Sequence, residues 1–150
     1  VSDLAASYRV QVVGDLNLLP DDMAERLRAS EHEGGDGIHV NVAIAYGGRR
    51  ELRDAFRSLL ASEAEKGTSL DTLSETLEID HISEHLYTAG QPDPDLIIRT
   101  SGEQRMSGFL IWQSAHSEFY FCEALWPDFR KVDFIRALRA YAQRERRYGR

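Results

Sequence analysis

The run Asp95-Leu96-Ile97-Ile98-Arg99 constrains the fold more than any other stretch of these 150 residues. Pro92 and Pro94 close it on one side and Thr100-Ser101-Gly102 on the other. A short continuous apolar segment between breakers suits a strand buried on both faces, the environment of a central strand in a parallel sheet. Parallel strands need crossover connections, so helices should alternate with strands along the chain. They do. Tyr8 to Gly14 and Ile38 to Ile44 alternate as strands. Between them Pro20 and Asp21 mark a helix start before Met23 and Leu27, and Gly34-Gly35-Asp36-Gly37 marks a loop. After the turn Tyr46-Gly47-Gly48, residues Leu52, Phe56, Leu59 and Leu60 fall at helical spacing in Arg49 to Lys66, and Gly67 supplies the stop. Ser69 to Leu77 and Asp80 to Tyr87 read as two shorter helices, each opening on a capping residue. Phe109 to Trp112 and Phe119 to Phe121 are further apolar or aromatic runs. Val132 to Arg147 predicts a last amphipathic helix with Phe134, Ile135, Leu138 and Tyr141. The pattern predicts an α/β fold, a mostly parallel sheet flanked by helices, in one domain over residues 1–150.

A chain of this length can bury a real core, roughly 68–70% of its unfolded surface. No apolar run approaches the roughly 20 residues of a membrane-spanning helix, and Val1 to Leu4 lacks the pattern of a secretory signal, so a cytoplasmic setting is the expectation. The single cysteine, Cys122, lies among Phe119, Tyr120 and Phe121 and reads as a buried, inert thiol. The formal charge of −7 is unevenly spread. Residues 130–150 carry eight Arg or Lys against Asp133 and Glu145, a net of +6, and the rest carries −13. General nucleic-acid binding is therefore disfavoured, and any anion recognition must be local. The basic tail alone reads equally as a solvated helix face.

In open parallel sheets ligands bind beyond the carboxyl ends of the strands, which points to Arg99-Thr100-Ser101-Gly102-Glu103-Gln104-Arg105-Met106-Ser107-Gly108. Two guanidiniums, several hydroxyls and two glycines on one turn outline a diphosphate cradle. Glycines let backbone N–H groups approach an anion, and Arg offers a planar fork to phosphate oxygens. The residues alone leave a second reading open, in which Arg99 pairs with Glu103 and only holds the loop's shape.

Asp95 through Gln113, then Glu118-Phe119-Tyr120-Phe121, then Leu125-Trp126-Pro127-Asp128-Phe129, closely resemble the C-terminal signature of cis-prenyltransferases, the undecaprenyl diphosphate synthase-like enzymes. The resemblance continues through Val12-Val13-Gly14-Asp15, Val40 to Arg49, and the terminal Arg147-Tyr148-Gly149. It implies that Arg99, Arg105 and Ser107 bind the diphosphate of isopentenyl diphosphate with Met106 between them, that Glu103 braces the loop, and that Glu118 helps hold Mg²⁺. It further implies a homodimer in which Arg147 and Gly149 complete the partner's substrate pocket, and a lipid product that would allow peripheral association with membranes. A strand-flanking surface carboxylate remains the alternative for Glu118, and a frayed helix end for the tail.

The implied reaction is Mg²⁺-assisted transfer of an allylic prenyl group from its diphosphate to isopentenyl diphosphate, forming a Z double bond. The family grips the allylic diphosphate with an Asp-Gly-Asn-Gly-Arg-Trp-type motif, and no such string occurs in these residues. The expectation is an incomplete cis-prenyltransferase fold lacking its N-terminal half, inactive alone, with no certain catalytic residue of its own. A non-catalytic partner subunit is the competing expectation. A zinc hydrolase is a remote one: His81-Ile82-Ser83-Glu84-His85 matches the H-x-x-E-H zinc pattern, but no third ligand is marked downstream. His32 and His39 lie in surface-like contexts, His116 lies near Glu118, and Tyr46-Gly47-Gly48 lacks the Walker lysine of a phosphate loop.

Overall fold

The computed structural model describes residues 1–5, 7–31 and 37–144. The chain divides into two compact units, Val1–Gly90 and Gln91–Arg150. In the first, β1 (Arg9–Val13) pairs in parallel with β2 (His39–Ala43), Arg9 opposite His39 and Val13 opposite Ala43. Val10, Val12 and Val13 are the buried residues of β1. A short α1 (Ser2–Ala5) precedes the sheet and α2 (Asp21–Arg28) lies in the crossover, opening at Pro20 with Asp21 and Asp22 in its first turn, where acids offset the helix dipole. The 18-residue α3 (Gly48–Glu65) follows β2 and buries Glu51, Ala55 and Leu59 on one face. Ser69 caps α4 (Leu70–Thr76) by accepting from Thr72 N at 3.1 Å. The next helix, α5 (Ile79–Ser83), starts one residue earlier than its sequence suggests: the capping acceptor is the His81 ring, which takes the Glu78 N–H at 3.0 Å.

In the second unit β3 (Leu96–Arg99) pairs in parallel with β4 (Glu118–Phe121), and α6 (Lys131–Ala142) packs against β4. Among the described residues β3 has no second strand neighbour, and all four of its residues are half-buried rather than enclosed on both faces. The run 109–112 forms turns, not a strand. Asp133 stations the start of α6 by accepting the Arg130 N–H at 3.1 Å, and it pairs with the Arg130 and Arg136 guanidiniums. The residues after 144, and His32 with most of the glycine-rich loop, lie outside the described residues. No described helix is long and apolar enough to cross a membrane.

Two contacts hold the first unit at the carboxyl end of its sheet. Gly14 (φ 132°) sits so close to β2's exit that an added Cβ would lie 2.0 Å from the Ile44 carbonyl oxygen. Glu51, 1% exposed, accepts from the Tyr46 hydroxyl and from Tyr87 N–H at 3.0 Å, and the Tyr87 hydroxyl donates to Asp54 at 2.6 Å. Burial raises the Asp54 pKa, but the Tyr87 hydrogen bond and the Arg53 guanidinium outweigh it and hold the carboxyl below its ordinary value. Burial and the same Asp54 contact push the Tyr87 phenol up.

Gly14→Ala is expected to cost at least ~2 kcal/mol of stability in urea unfolding, because backbone clash adds to left-handed strain. Tyr87→Phe is expected to cost about 1 kcal/mol at neutral pH, the scale of a partly exposed hydrogen bond to a charged group. The depressed Asp54 pKa stabilises the fold above the carboxylate range of about 4, and that contribution disappears as pH falls through the depressed value. The gap between wild type and Tyr87→Phe should therefore narrow when unfolding is repeated near pH 3; a gap independent of pH would rule out the Asp54 linkage.

Candidate functional site

The site is built at the carboxyl end of β3. Arg99 ends the strand, and its carbonyl accepts from Cys122 N at 2.7 Å. The chain then turns through Ser101 (φ 80°) and Gly102 (φ 71°), whose N–H groups donate to Ala124 O at 2.8 Å and Cys122 O at 2.9 Å. The loop is thereby stapled to the segment leaving β4. The Gly102 amide, one of those expected to meet an anion, is committed to Cys122, so recognition at this turn falls to side chains. Cys122 itself is half-buried rather than enclosed.

Those side chains converge on Glu103. Its Oε2 accepts from Arg99 Nη2 and its Oε1 from Arg105 Nη2 at 2.8 Å, while Arg99 Nη1 donates to the Ser107 hydroxyl. One carboxylate therefore holds two guanidiniums together, and like charges that would otherwise repel stay close. The Arg99 side chain is 21% exposed and that of Arg105 70%. Arg99 Nε is buried without a hydrogen-bond partner. Ser107 (φ 51°) and Leu110 (φ 47°) add two more non-glycine residues in the left-handed region. Such residues cost about 1–3 kcal/mol each and persist where surrounding contacts over-determine them.

Ile97, Ile98, Arg99, Thr100, Ser101, Arg105, Met106, Phe109 and Phe119 line a cavity of about 270 Å³. Cations at one part of an apolar cavity suit a small ligand with an anionic head and a hydrocarbon body. A larger cavity of about 640 Å³ lies beside α1 and α2. Among its described lining only Arg26 is cationic, and Glu31 there already accepts the Val12 N–H at 3.0 Å. The smaller cavity has the better chemistry.

Arg99, Arg105, Met106 and Ser107 are thus together, and Glu118 is not with them. Glu118 begins β4 in register with Leu96, three residues or ~10 Å of strand from the Arg99 end. Strand alternation also puts it on the opposite face: Ile97, Arg99, Phe119 and Phe121 share one side, where the two phenyl rings stack at 6.3 Å, and Leu96, Ile98, Glu118 and Tyr120 share the other. The Glu118 carboxylate takes Arg144 Nη1 at 2.6 Å. Among the described residues no three His, Cys, Asp or Glu side chains gather as metal ligands. His81 is engaged with Glu78, His85 Nδ1 lies 2.8 Å from the Ser58 hydroxyl, and α5 ends at Ser83 before His85 is reached. Arg147 and Gly149 lie outside the described residues.

Sequence reasoning weighed an Arg99–Glu103 pair but missed that Glu103 serves Arg105 as well. The alternating signs of Arg99, Glu103 and Arg105 were the available signal. It also missed the buried Glu51 with Tyr46 and Tyr87, for which the sequence carries no comparable signal, since Tyr87 is 36 residues away.

A family model described as "Putative undecaprenyl diphosphate synthase" matches residues 2–149. Isoprenyl transferase 1 of Streptomyces avermitilis is 58% identical over 99% of the chain, and a (2Z,6E)-farnesyl diphosphate synthase of Thermobifida fusca is 62% identical over 94% of it. The chain spans 60% and 56% of those two proteins. Lavandulyl diphosphate synthase from Lavandula x intermedia, solved in complex with dimethylallyl diphosphate, matches at a TM-score of 0.86 with 32% identity, over 99% of this chain and 68% of that one.

Proposed function

Because the chain belongs to the undecaprenyl diphosphate synthase family of prenyltransferases, we propose that it supplies the acceptor side of a cis-prenyl transfer site, holding isopentenyl diphosphate while an allylic prenyl group is joined to it with Z geometry. The convergence of Arg99, Arg105 and Ser107 beside an apolar cavity carries this reading. In it the two guanidiniums and the hydroxyl grip the diphosphate, and Met106, Phe109 and Phe119 face the hydrocarbon. The (2Z,6E)-farnesyl diphosphate synthase relative supports a short-chain product.

In this transfer the acceptor carbon bonds to the allylic carbon, the allylic diphosphate departs, and the acceptor loses a proton. The acceptor's own diphosphate stays attached throughout. It is a handle, and groups that hold a handle contribute equally to ground and transition states. A static arginine cradle is suited to that task, whereas stabilising the departing diphosphate calls for charges aimed at the other substrate.

Prenyltransferases of this family are generally Mg²⁺-dependent. Glu118 offers a hard oxygen donor of the kind that ion prefers. It lies, however, on the reverse face of the ladder from Arg99 and in an ion pair with Arg144, and no group of three ligand side chains gathers among the described residues, so these residues do not fit a cation bound beside this cradle. Arg147 and Gly149 are proposed to act in a homodimer, at the substrate pocket of the second copy.

In the complete protein Arg105→Ala should raise the KM for isopentenyl diphosphate roughly tenfold or more, as loss of a charge-assisted hydrogen bond implies. The KM for the allylic substrate should stay within about twofold, since uniform binding to one substrate is lost. Equal rises for both substrates would sink the acceptor-site assignment. A polypeptide of only these 150 residues should incorporate no labelled isopentenyl diphosphate with Mg²⁺ and an allylic diphosphate present, because no Asp-Gly-Asn-Gly-Arg-Trp-type grip is among them. Sustained incorporation would refute that.

A further inference from the structure

We propose that Glu103 is a built-in competitor anion: its carboxylate takes the place of a diphosphate between Arg99 and Arg105 and surrenders it when the ligand binds. The inference rests on the acceptor-site reading and adds a specific residue that sets how tightly that site holds its anion.

Three observations carry it. The first is occupancy. A guanidinium meets a phosphoryl group with two N–H groups side by side, and with Nε of Arg99 buried those fall to Nη1 and Nη2. Each of those nitrogens already donates once, Nη1 to Ser107 and Nη2 to Glu103. Glu103 Oε1 likewise covers Arg105 Nη2 at 2.8 Å. An arriving diphosphate therefore wants the N–H groups that Glu103 holds, and its negative charge is repelled by the carboxylate already there.

The second observation is that Glu103 can leave. Its side chain is 43% exposed, and its bond to Arg105, 70% exposed, faces solvent, while its bond to Arg99, 21% exposed, is partly buried. Pairs that open are worth about 1 kcal/mol or less each, and the freed carboxylate regains hydration when it swings out. The third is that the turn at Ser101 and Gly102 is held without it. Ser101 and Gly102 fasten the turn to Ala124 and Cys122 through backbone hydrogen bonds in which Glu103 has no part. A residue that braced the loop would be needed in the bound state; one that only neutralises two guanidiniums is needed until an anion replaces it.

The two roles give opposite results. Inorganic pyrophosphate, in EDTA buffer, is titrated into the full-length enzyme by calorimetry for wild type, Glu103→Gln and Arg105→Ala. A competitor predicts that Glu103→Gln binds pyrophosphate about tenfold more tightly, the factor equivalent to ~1.4 kcal/mol. Glu103→Ser, too short to reach either guanidinium, should do the same, and thermal unfolding checks that both variants stay folded. Unchanged or weaker binding in both folded variants, with Arg105→Ala also weakened, would overturn the proposal and make Glu103 a brace. If Arg105→Ala leaves pyrophosphate binding untouched, the acceptor-site reading itself fails, and this inference with it.

Discussion

The in-register parallel ladder of β3 and β4 is the constraint on which the site depends. Pairing Arg99 with Phe121 brings the end of one strand level with the end of the other, and the hydrogen bonds simply continue past it: Cys122 N to Arg99 O, then Gly102 N back to Cys122 O. The same register decides what shares a face. It places Phe119 and Phe121 on the same side as Arg99 and sends Glu118 and Tyr120 to the other. A one-residue slip would exchange the two sets and dismantle the cavity.

Within that frame the charges are arranged locally, as a chain of net −7 requires for an anion site. The structure uses one device twice. Asp133 and Glu103 each hold two arginines, but Asp133 has only 7% of its side chain exposed and also accepts a backbone N–H at the start of α6, which makes it part of the helix cap. Glu103 is 43% exposed, at a loop whose arginines line a cavity. The surroundings, not the motif, separate a structural cluster from a candidate ligand site. Three of the eight basic residues of the C-terminal segment, Arg130, Arg136 and Arg144, are each engaged by an acid within the second unit.

Most of this was legible because the features are local. Breakers around 95–99, period-2 alternation at 8–14 and 38–44, and the helical spacing of Leu52, Phe56 and Leu59 located β3, β1, β2 and α3 to within a residue or two. Local rules also failed in local ways. An acid at Asp80 suggested a cap, yet a histidine ring nitrogen at His81 caps α5 instead. The apolar run 109–112, left without an assigned element, forms turns in which Ser107, Gly108 and Leu110 all adopt positive φ. What lay beyond reach was long-range. Nothing in the sequence couples Glu51 to Tyr87 or Glu118 to Arg144, because those contacts follow from how helices pack.

The placement of the arginines bears on which kinetic quantity this part of the molecule can control. A diphosphate that keeps its bond to carbon carries nearly the same charge before and during reaction, so in the proposed acceptor role Arg99 and Arg105 would have little differential charge to act on. Their contribution appears as affinity. On the proposal made above, a resident carboxylate between them lowers that affinity without touching the reacting atoms. The turn that follows Arg99 is fastened at Ser101 and Gly102 by backbone hydrogen bonds, and the half-exposed acid beyond it reaches both guanidiniums, so the proposed exchange needs a side chain to move and not that turn.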